Sequence, residues 1–326
     1  MDRGHGDAER ELRKLERKLK QEYEQAYKEM QEQAGKWLKQ FEDADAKKLA
    51  LVKAGELDHA EYMRWRSTQM FTKKEMDAIT DQLAHSLTER NQIAANLING
   101  SARSSFITNY NYGAYEVYQA SGMNLNFFAD ESTIGRLLKD NPKLLPKTKV
   151  DIPKDLRWNK RKLSSAITQG ILQGDDIPSI AKRLRQVTDM SRGASVRNAR
   201  TMTTSAENGG RMASYEEAAE MGIEMQKTWV ATVDDRTRDA HVELDGVTVN
   251  YDEPFENSIG KIMYPADPDA DPENVYNCRC TLIATLKGHG RNLSGRSPSK
   301  SLGNMSYDEW KKEAMDRAEE RKKAKS

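Results

Sequence analysis

The chain has 326 residues, 37% hydrophobic and 32% charged, with a net charge of +1. So low an apolar fraction argues against one large core and for long, solvated helices spread over two or three domains. No run approaches the ~18 apolar residues of a membrane span and no apolar signal region opens the chain. Two cysteines without an export signal then imply a reducing compartment, so a soluble, intracellular chain without a membrane partner is expected.

Residues 9–42 place Leu12, Leu15, Leu19, Tyr23, Ala26, Tyr27, Met30, Ala34, Trp37, Leu38 and Phe41 at steps of three and four. This is the stripe of one long helix, narrow enough to read as a coiled-coil or partner-facing seam. Gly55 predicts a break, and a helix or helix pair then covers 58–99 with Asn99-Gly100 as a stop signal. Residues 101–128 continue as helix to Gly122, which completes an elongated helical region over 1–130. A connector spans 131–158, and its Pro- and Lys-bearing stretch at 140–160 reads as loop. Helices follow at 159–173, at 177–188 (capped by Asp176, with Pro178 near its start) and at 193–221, where Gly222 ends the last. Beyond it the period changes to two: 225–233, 246–251 and 278–286 alternate like strands, with Asp-Gly and Pro-Asp turns between them. Residues 287–326 read as a charged, disordered tail with a short helix from Ser306, where Ser306 and Glu309 are spaced as a capping box. The fold class is mostly α, with long charged N-terminal helices and a small α+β C-terminal module at 223–286.

Charge is distributed in blocks. Residues 136–211 hold 17 Lys/Arg against 7 Asp/Glu, residues 234–280 hold 12 Asp/Glu against 4 Lys/Arg, and residues 287–326 hold 11 basic against 6 acidic side chains. Solvated helix faces are the plain reading of each block; separate surfaces for separate partners are the sharper one. In the basic block Lys160, Arg161, Lys162, Lys182, Arg183, Arg185, Arg192, Arg197 and Arg200 suit sequence-independent phosphate contacts or an acidic protein surface. Arg161, Lys162, Arg183, Arg185 and Arg197 are the chosen contact residues. Trp158 alone gives no aromatic platform for single strands.

The only cysteines, Cys278 and Cys280, are two apart, so on a strand both side chains point to one face. Packed thiols are the ordinary reading. With His241 and a carboxylate, Asp245 or Asp234, the same pair makes a tetrahedral zinc site, and zinc is the one candidate cofactor. His241 also lies among Asp234, Asp235, Asp239, Glu243 and Asp245, which could hold a divalent cation for a nuclease. Against that, the segment's acidity repels a polyanion, and neither a His-Asn-His nor a paired-carboxylate spacing is present. Turns at Asp234-Asp235, with Arg236 and Arg238 paired to neighbouring acids, account for the same residues. No complete catalytic constellation and no small-molecule substrate site stands out.

The ordered segments are LQGDDIPSIAKRL, the basic helix RNARTMTTSAENGGRMASYEEAAEMG, then TWVATVDDRTRDAHVELDG, an acidic Pro/Asp loop and NCRC. They bring Arg200, Thr201, Trp229, Arg236, Thr237, Arg238, His241, Asp245, Gly246, Asn277, Cys278, Arg279 and Cys280 into one succession. From about Gly170 to Leu286 the chain thereby resembles the Mu F-like phage head morphogenesis family, the minor head (minor capsid) proteins of tailed phages. The resemblance implies a domain over 159–286 and a role in procapsid assembly at the portal vertex. It implies the portal protein and major capsid or scaffolding proteins as partners, with non-specific contact to packaged double-stranded DNA. It places the chain in the virion, in the capsid interior or at the portal vertex, and in the host cytoplasm during assembly. A virion-associated metal-dependent nuclease using His241 is the alternative. Two departures count. Met202 follows Arg200-Thr201 where the family usually has an acid, which weakens a catalytic role there. The roughly forty charged residues after the module are too few for the ADP-ribosyltransferase domain that some members carry.

Overall fold

The computed structural model describes residues 2–69, 73–123, 128–287 and 303–325. It is mostly helical, with a small antiparallel sheet toward the C-terminus. The helices are α1 (Arg3–Lys53), α2 (His59–Gln69), α3 (Lys73–Ser121), α4 (Glu131–Asp140), α5 (Ile152–Leu172), α6 (Ile177–Glu220), the single turns α7 (Asp239–Val242) and α8 (Pro272–Val275), and α9 (Tyr307–Lys325), with a 3-10 turn at Pro142–Leu144. The strands are β1 (Met225–Val230), β2 (Thr248–Asn250), β3 (Phe255–Glu256), β4 (Lys261–Ile262) and β5 (Thr281–Leu286). β1 lies between β2 and β5, antiparallel to both, and β3 pairs with β4.

Several predicted boundaries move. The Ala-, Lys- and Leu-rich residues after 42 are good helix formers, so α1 runs to Lys53; Gly55 then takes φ +75° and Leu51 accepts the Glu56 N–H at 2.9 Å. Asn99-Gly100 is no stop: α3 passes through it and ends at Gly122, φ +69°. The presumed connector holds two helices. Asp130 caps α4 at Thr133 N (2.8 Å), and Asp151 caps α5 at Lys154 N (3.1 Å) with Pro153 in its first turn. Residues 177–220 form one helix where two were expected, because Gly193 costs only about 1 kcal/mol in a helix interior.

The chain divides into two compact units. One comprises residues 16–97 and 148–196. Its core takes Leu19, Tyr23, Ala26 and Met30 from α1, Leu83 and Leu87 from α3, Leu163 and Ile167 from α5, and Leu184 and Val187 from α6. From Leu19 to Ala34 the α1 stripe is therefore buried within the chain's own core, and the reading of that part as a seam for a partner is corrected. A polar chain crosses this core: the Tyr23 hydroxyl donates to Asn91 Oδ1 (2.7 Å), and Asn91 Nδ2 donates to Asp155 (2.7 Å). Arg90 bridges Glu22 (3.0 Å) and Glu29 (2.7 Å).

The other unit comprises residues 1–15, 98–147 and 197–326. Here α3 and α6 approach so closely that a Cβ on Gly210 would strike the Phe106 carbonyl oxygen, and one on Gly113 the Ser214 hydroxyl. Close approach is what these weak helix formers supply. From Gly303 onward the disordered part of the tail reading is corrected, while the helix expected from Ser306 forms. The capping box forms, with Ser306 N donating to Glu309 Oε2 (2.8 Å) and Glu309 N to Ser306 Oγ (3.4 Å). α9 that follows is docked: Tyr307 and Trp310 are buried against Tyr112, Tyr115 and Tyr118 of α3, with Tyr115–Trp310 centroids 5.7 Å apart. Arg3 grips Asp308 with two hydrogen bonds (2.8 and 2.7 Å) and lies over the Tyr307 ring. The tail expectation for residues 288–302 falls outside the described residues.

Trp310 is 1% exposed, so Trp310→Ala is expected to destabilise this unit by about 3–5 kcal/mol, the range for deleting a buried aromatic. Urea unfolding of wild type and variant measures it. A change below about 1 kcal/mol would mean that α9 docks only loosely.

Candidate functional site

β1 ends at Val230, and the chain turns through residues 231–238 into the single turn α7. Asp245 Oδ1 accepts the Ala231 N–H at 2.8 Å, while Gly246, φ +81°, donates its N–H to Trp229 O at 2.9 Å. These contacts deliver His241 to the Trp229 side chain, the two rings meeting edge to face at 5.4 Å; Phe255 covers Trp229 at 5.2 Å. Trp229 and His241 are both buried.

The cysteines come from the other end of the loop. They lie just before β5, not within it, in extended backbone that follows Asn277, φ +57°. The face of α6 holds this backbone. Thr201 Oγ1 accepts the Asn277 N–H (3.2 Å), Thr204 Oγ1 donates to Cys278 O (2.7 Å), and Asn208 donates to Cys280 O (3.2 Å) and accepts the Leu282 N–H (2.9 Å). Thr281 Oγ1 donates to Glu207 (2.6 Å), and Arg211 donates to Leu282 O (2.6 Å). So fixed, Cys278 Sγ and Cys280 Sγ each lie 3.6 Å from His241 Nδ1. All three side chains are 2% exposed or less. Burial pushes the Cys278 thiol up, whereas hydrogen bonds from Cys278 and His241 favour the Cys280 thiolate.

Among the described residues, His241, Cys278 and Cys280 are the one grouping of three or more side chains set to hold a metal. The structure thus joins three of the four ligands named from the sequence and leaves out Asp245, whose exposed carboxylate is engaged with β1. The acids of the nuclease reading do not converge. Asp234 is gripped by Arg279 (2.6 and 2.5 Å), which holds its carboxyl well below the usual range, and Glu243 accepts the Ser258 N–H (3.3 Å). Asp235 and Asp239 are exposed. Arg236 pairs with Asp234 (3.5 Å) as expected, but Arg238 donates to the Tyr276 carbonyl instead of pairing with an acid. Thr237 donates to the Thr232 carbonyl. These motif residues build the turn that carries His241.

Part of the basic block is paired within the chain. Arg183 binds Asp175 (2.6 Å), Arg185 binds Glu24 (2.6 Å) and covers Tyr27, Arg192 reaches Asp189 (3.3 Å), and Lys160 binds Asp81 (2.7 Å). Lys162 lies over Trp158 at 5.7 Å. Arg200 sits half-buried on α6. Arg161, Lys182 and Arg197 are exposed and form no ion pair among the described residues.

Sequence reasoning missed the groups that carry the loop: Thr204, Glu207, Asn208 and Arg211. Their spacing of three, four and seven was a usable signal, since it lines one face of a helix. Arg211 is fully buried and reaches Asp2 (2.7 Å), Glu116 (3.4 Å) and Glu207 (3.8 Å); Tyr215 donates to Glu116 (2.6 Å). His5 Nδ1 lies 2.9 Å from Glu207. Burial opposes the charged imidazole, but the Glu207 carboxylate outweighs it and His5 titrates above its ordinary 6.5. Arg211→Ala strands these carboxylates and is expected to cost about 3–5 kcal/mol in urea unfolding. A raised histidine pKa stabilises fully below the unfolded value and is lost as pH rises through the folded one. As pH rises from His5's ordinary 6.5, wild type should therefore lose more stability than His5→Leu; parallel pH profiles would exclude the His5–Glu207 pair as their source.

Residues 161–283 match the family model described as phage Mu protein F like protein. The chain is 28% identical over 269 residues, 80% of its length and 83% of the relative's, to minor head protein GP7 of Bacillus phage SPP1. It is 35% identical over 149 residues to the NAD(+)–arginine ADP-ribosyltransferase EFV of Enterococcus faecalis, covering 45% of this chain but only 30% of that protein. An uncharacterized protein of Haemophilus influenzae is 23% identical over 206 residues, 61% of this chain and 41% of its own. No solved structure matches. By these comparisons residues 161–283 are similar to the phage Mu protein F like family, and most of the chain is similar to a phage minor head protein.

Proposed function

We propose that the protein is a minor head component of a tailed phage, built into the procapsid at the portal vertex and retained in the virion. The observation that carries this reading is the extent of the similarity to the SPP1 minor head protein: it covers 80% of the chain, far more than the Mu F-like domain alone. The stretch shared with the ADP-ribosyltransferase covers less than a third of that enzyme, and we take it as a module used by both proteins, with transferase chemistry residing elsewhere in the enzyme. Structural use also suits the site, where acids close turns and do not converge on a reacting centre. Among the described residues no helix is long and apolar enough to cross a membrane.

Quantitative mass spectrometry of purified procapsids and mature particles tests the assignment. A few copies per particle in both are expected. Absence from both would remove the structural role, and presence in procapsids alone would make the protein an assembly factor that leaves.

The exposed cations Arg161, Lys182 and Arg197 are proposed to touch packaged DNA without sequence preference. Replacing all three by Glu should weaken binding of the full chain to duplex DNA and lower the slope of log K against log salt by about 1 per lost contact. An unchanged slope, together with weaker capture of the portal protein, would assign these cations to a protein partner.

A further inference from the structure

We infer that His241, Cys278 and Cys280 form a zinc site that fastens the two ends of the Mu F-like module's long loop, a role independent of the head-assembly reading. Two observations converge on it. The first is distance. A zinc ion takes thiolate sulfur at about 2.3 Å and imidazole nitrogen at about 2.0–2.1 Å with tetrahedral angles, which puts each sulfur about 3.6 Å from the nitrogen. Both Sγ–Nδ1 distances are 3.6 Å. The ligand atoms of all three residues lie within 4.8 Å of one another.

The second is hydrogen-bond capacity. A neutral imidazole nitrogen that accepts has one lone pair, so two thiols cannot both donate to Nδ1. One thiol at most is satisfied at Nδ1, although both sulfurs are set 3.6 Å from it. A cation bonded to Nδ1 and to both sulfurs uses the convergence that hydrogen bonding leaves over. Binding displaces the thiol protons to solvent and leaves two thiolates and a neutral imidazole on the metal.

The surroundings fit a structural role. His241 and Cys278 are 37 residues apart, and the strands between them, β2, β3 and β4, have three, two and two residues. Little ladder hydrogen bonding holds that segment, so a cross-link at its ends contributes where regular structure is scarce. Asp245 is no part of the site, because its carboxylate already accepts the Ala231 N–H.

The test is metal content of the full chain purified without chelator, read by native mass spectrometry and by zinc release on mercurial titration of the thiols. About one zinc per chain is expected, released as the two thiols react, with a fall in melting temperature after chelation. Asp245→Ala should retain the metal, whereas His241→Ala, Cys278→Ser and Cys280→Ser should lose it. Cobalt(II) in place of zinc should give thiolate charge-transfer and tetrahedral ligand-field absorption, a readout on wild type that stands even if those three variants do not fold. Wild-type protein free of zinc, indifferent to chelator and giving no thiolate–cobalt band would overturn the site. So would an intact mass lighter by two hydrogens, which would make the pair a disulfide.

Discussion

Everything in the Mu F-like module depends on one helix face reading one stretch of extended backbone. Between Asn277 and Cys280 the chain has not yet reached the paired run of β5, yet both cysteines are buried, so the carbonyl and amide groups here need partners. Thr201, Thr204, Asn208 and Arg211 supply them from successive turns of α6, and Glu207 takes the Thr281 hydroxyl. The helix therefore does the work that a further strand would do in a wider sheet. It also fixes the register of β5 on β1, with Leu282 opposite Trp229 and Ala284 opposite Lys227. The cysteines are set as a consequence, because their carbonyls are among the groups that α6 holds.

A face made of polar groups is stable in a core only when each group is matched, and here the matching reaches back to the first residues. Arg211 approaches Asp2, Glu116 and Glu207, and His5 closes on Glu207 from the start of α1. A buried ion pair is weak evidence for net stability, since desolvation offsets attraction; what it enforces is that no member be removed alone. The cluster thus specifies which segments meet, and apolar packing around Phe106, Tyr215 and Trp229 supplies the driving force.

How legible this was from sequence differs by kind of signal. Short-range signals held: Gly55 and Gly122 end helices, Ser306 and Glu309 form their capping box, and the period-two runs are β1, β2 and β5. The His241–Cys278–Cys280 convergence was legible because few residue types share that chemistry. Helix continuity was not, since glycine at 100 and 193 weakens a helix locally while tertiary packing decides whether it continues. Gly210 inverts the usual inference: it is present because two helices nearly touch there. Nor could a sequence reveal that Arg185 is matched by Glu24, 161 positions earlier, or that Arg211 in a basic helix faces inward.

The same long-range pairing changes what the charge blocks mean. In the acidic segment Asp234, Asp245, Asp267 and Asp271 accept backbone N–H groups at Arg236, Ala231, Met263 and Glu273. A module with so little sheet must close its turns through side chains, and short carboxylates are suited to that. Its acidity follows from its architecture and need not mark a cation site. The basic block contracts for the complementary reason: Lys160, Arg183, Arg185 and Arg192 are matched inside the chain. Charge counted along a sequence therefore overstates the charge a partner meets.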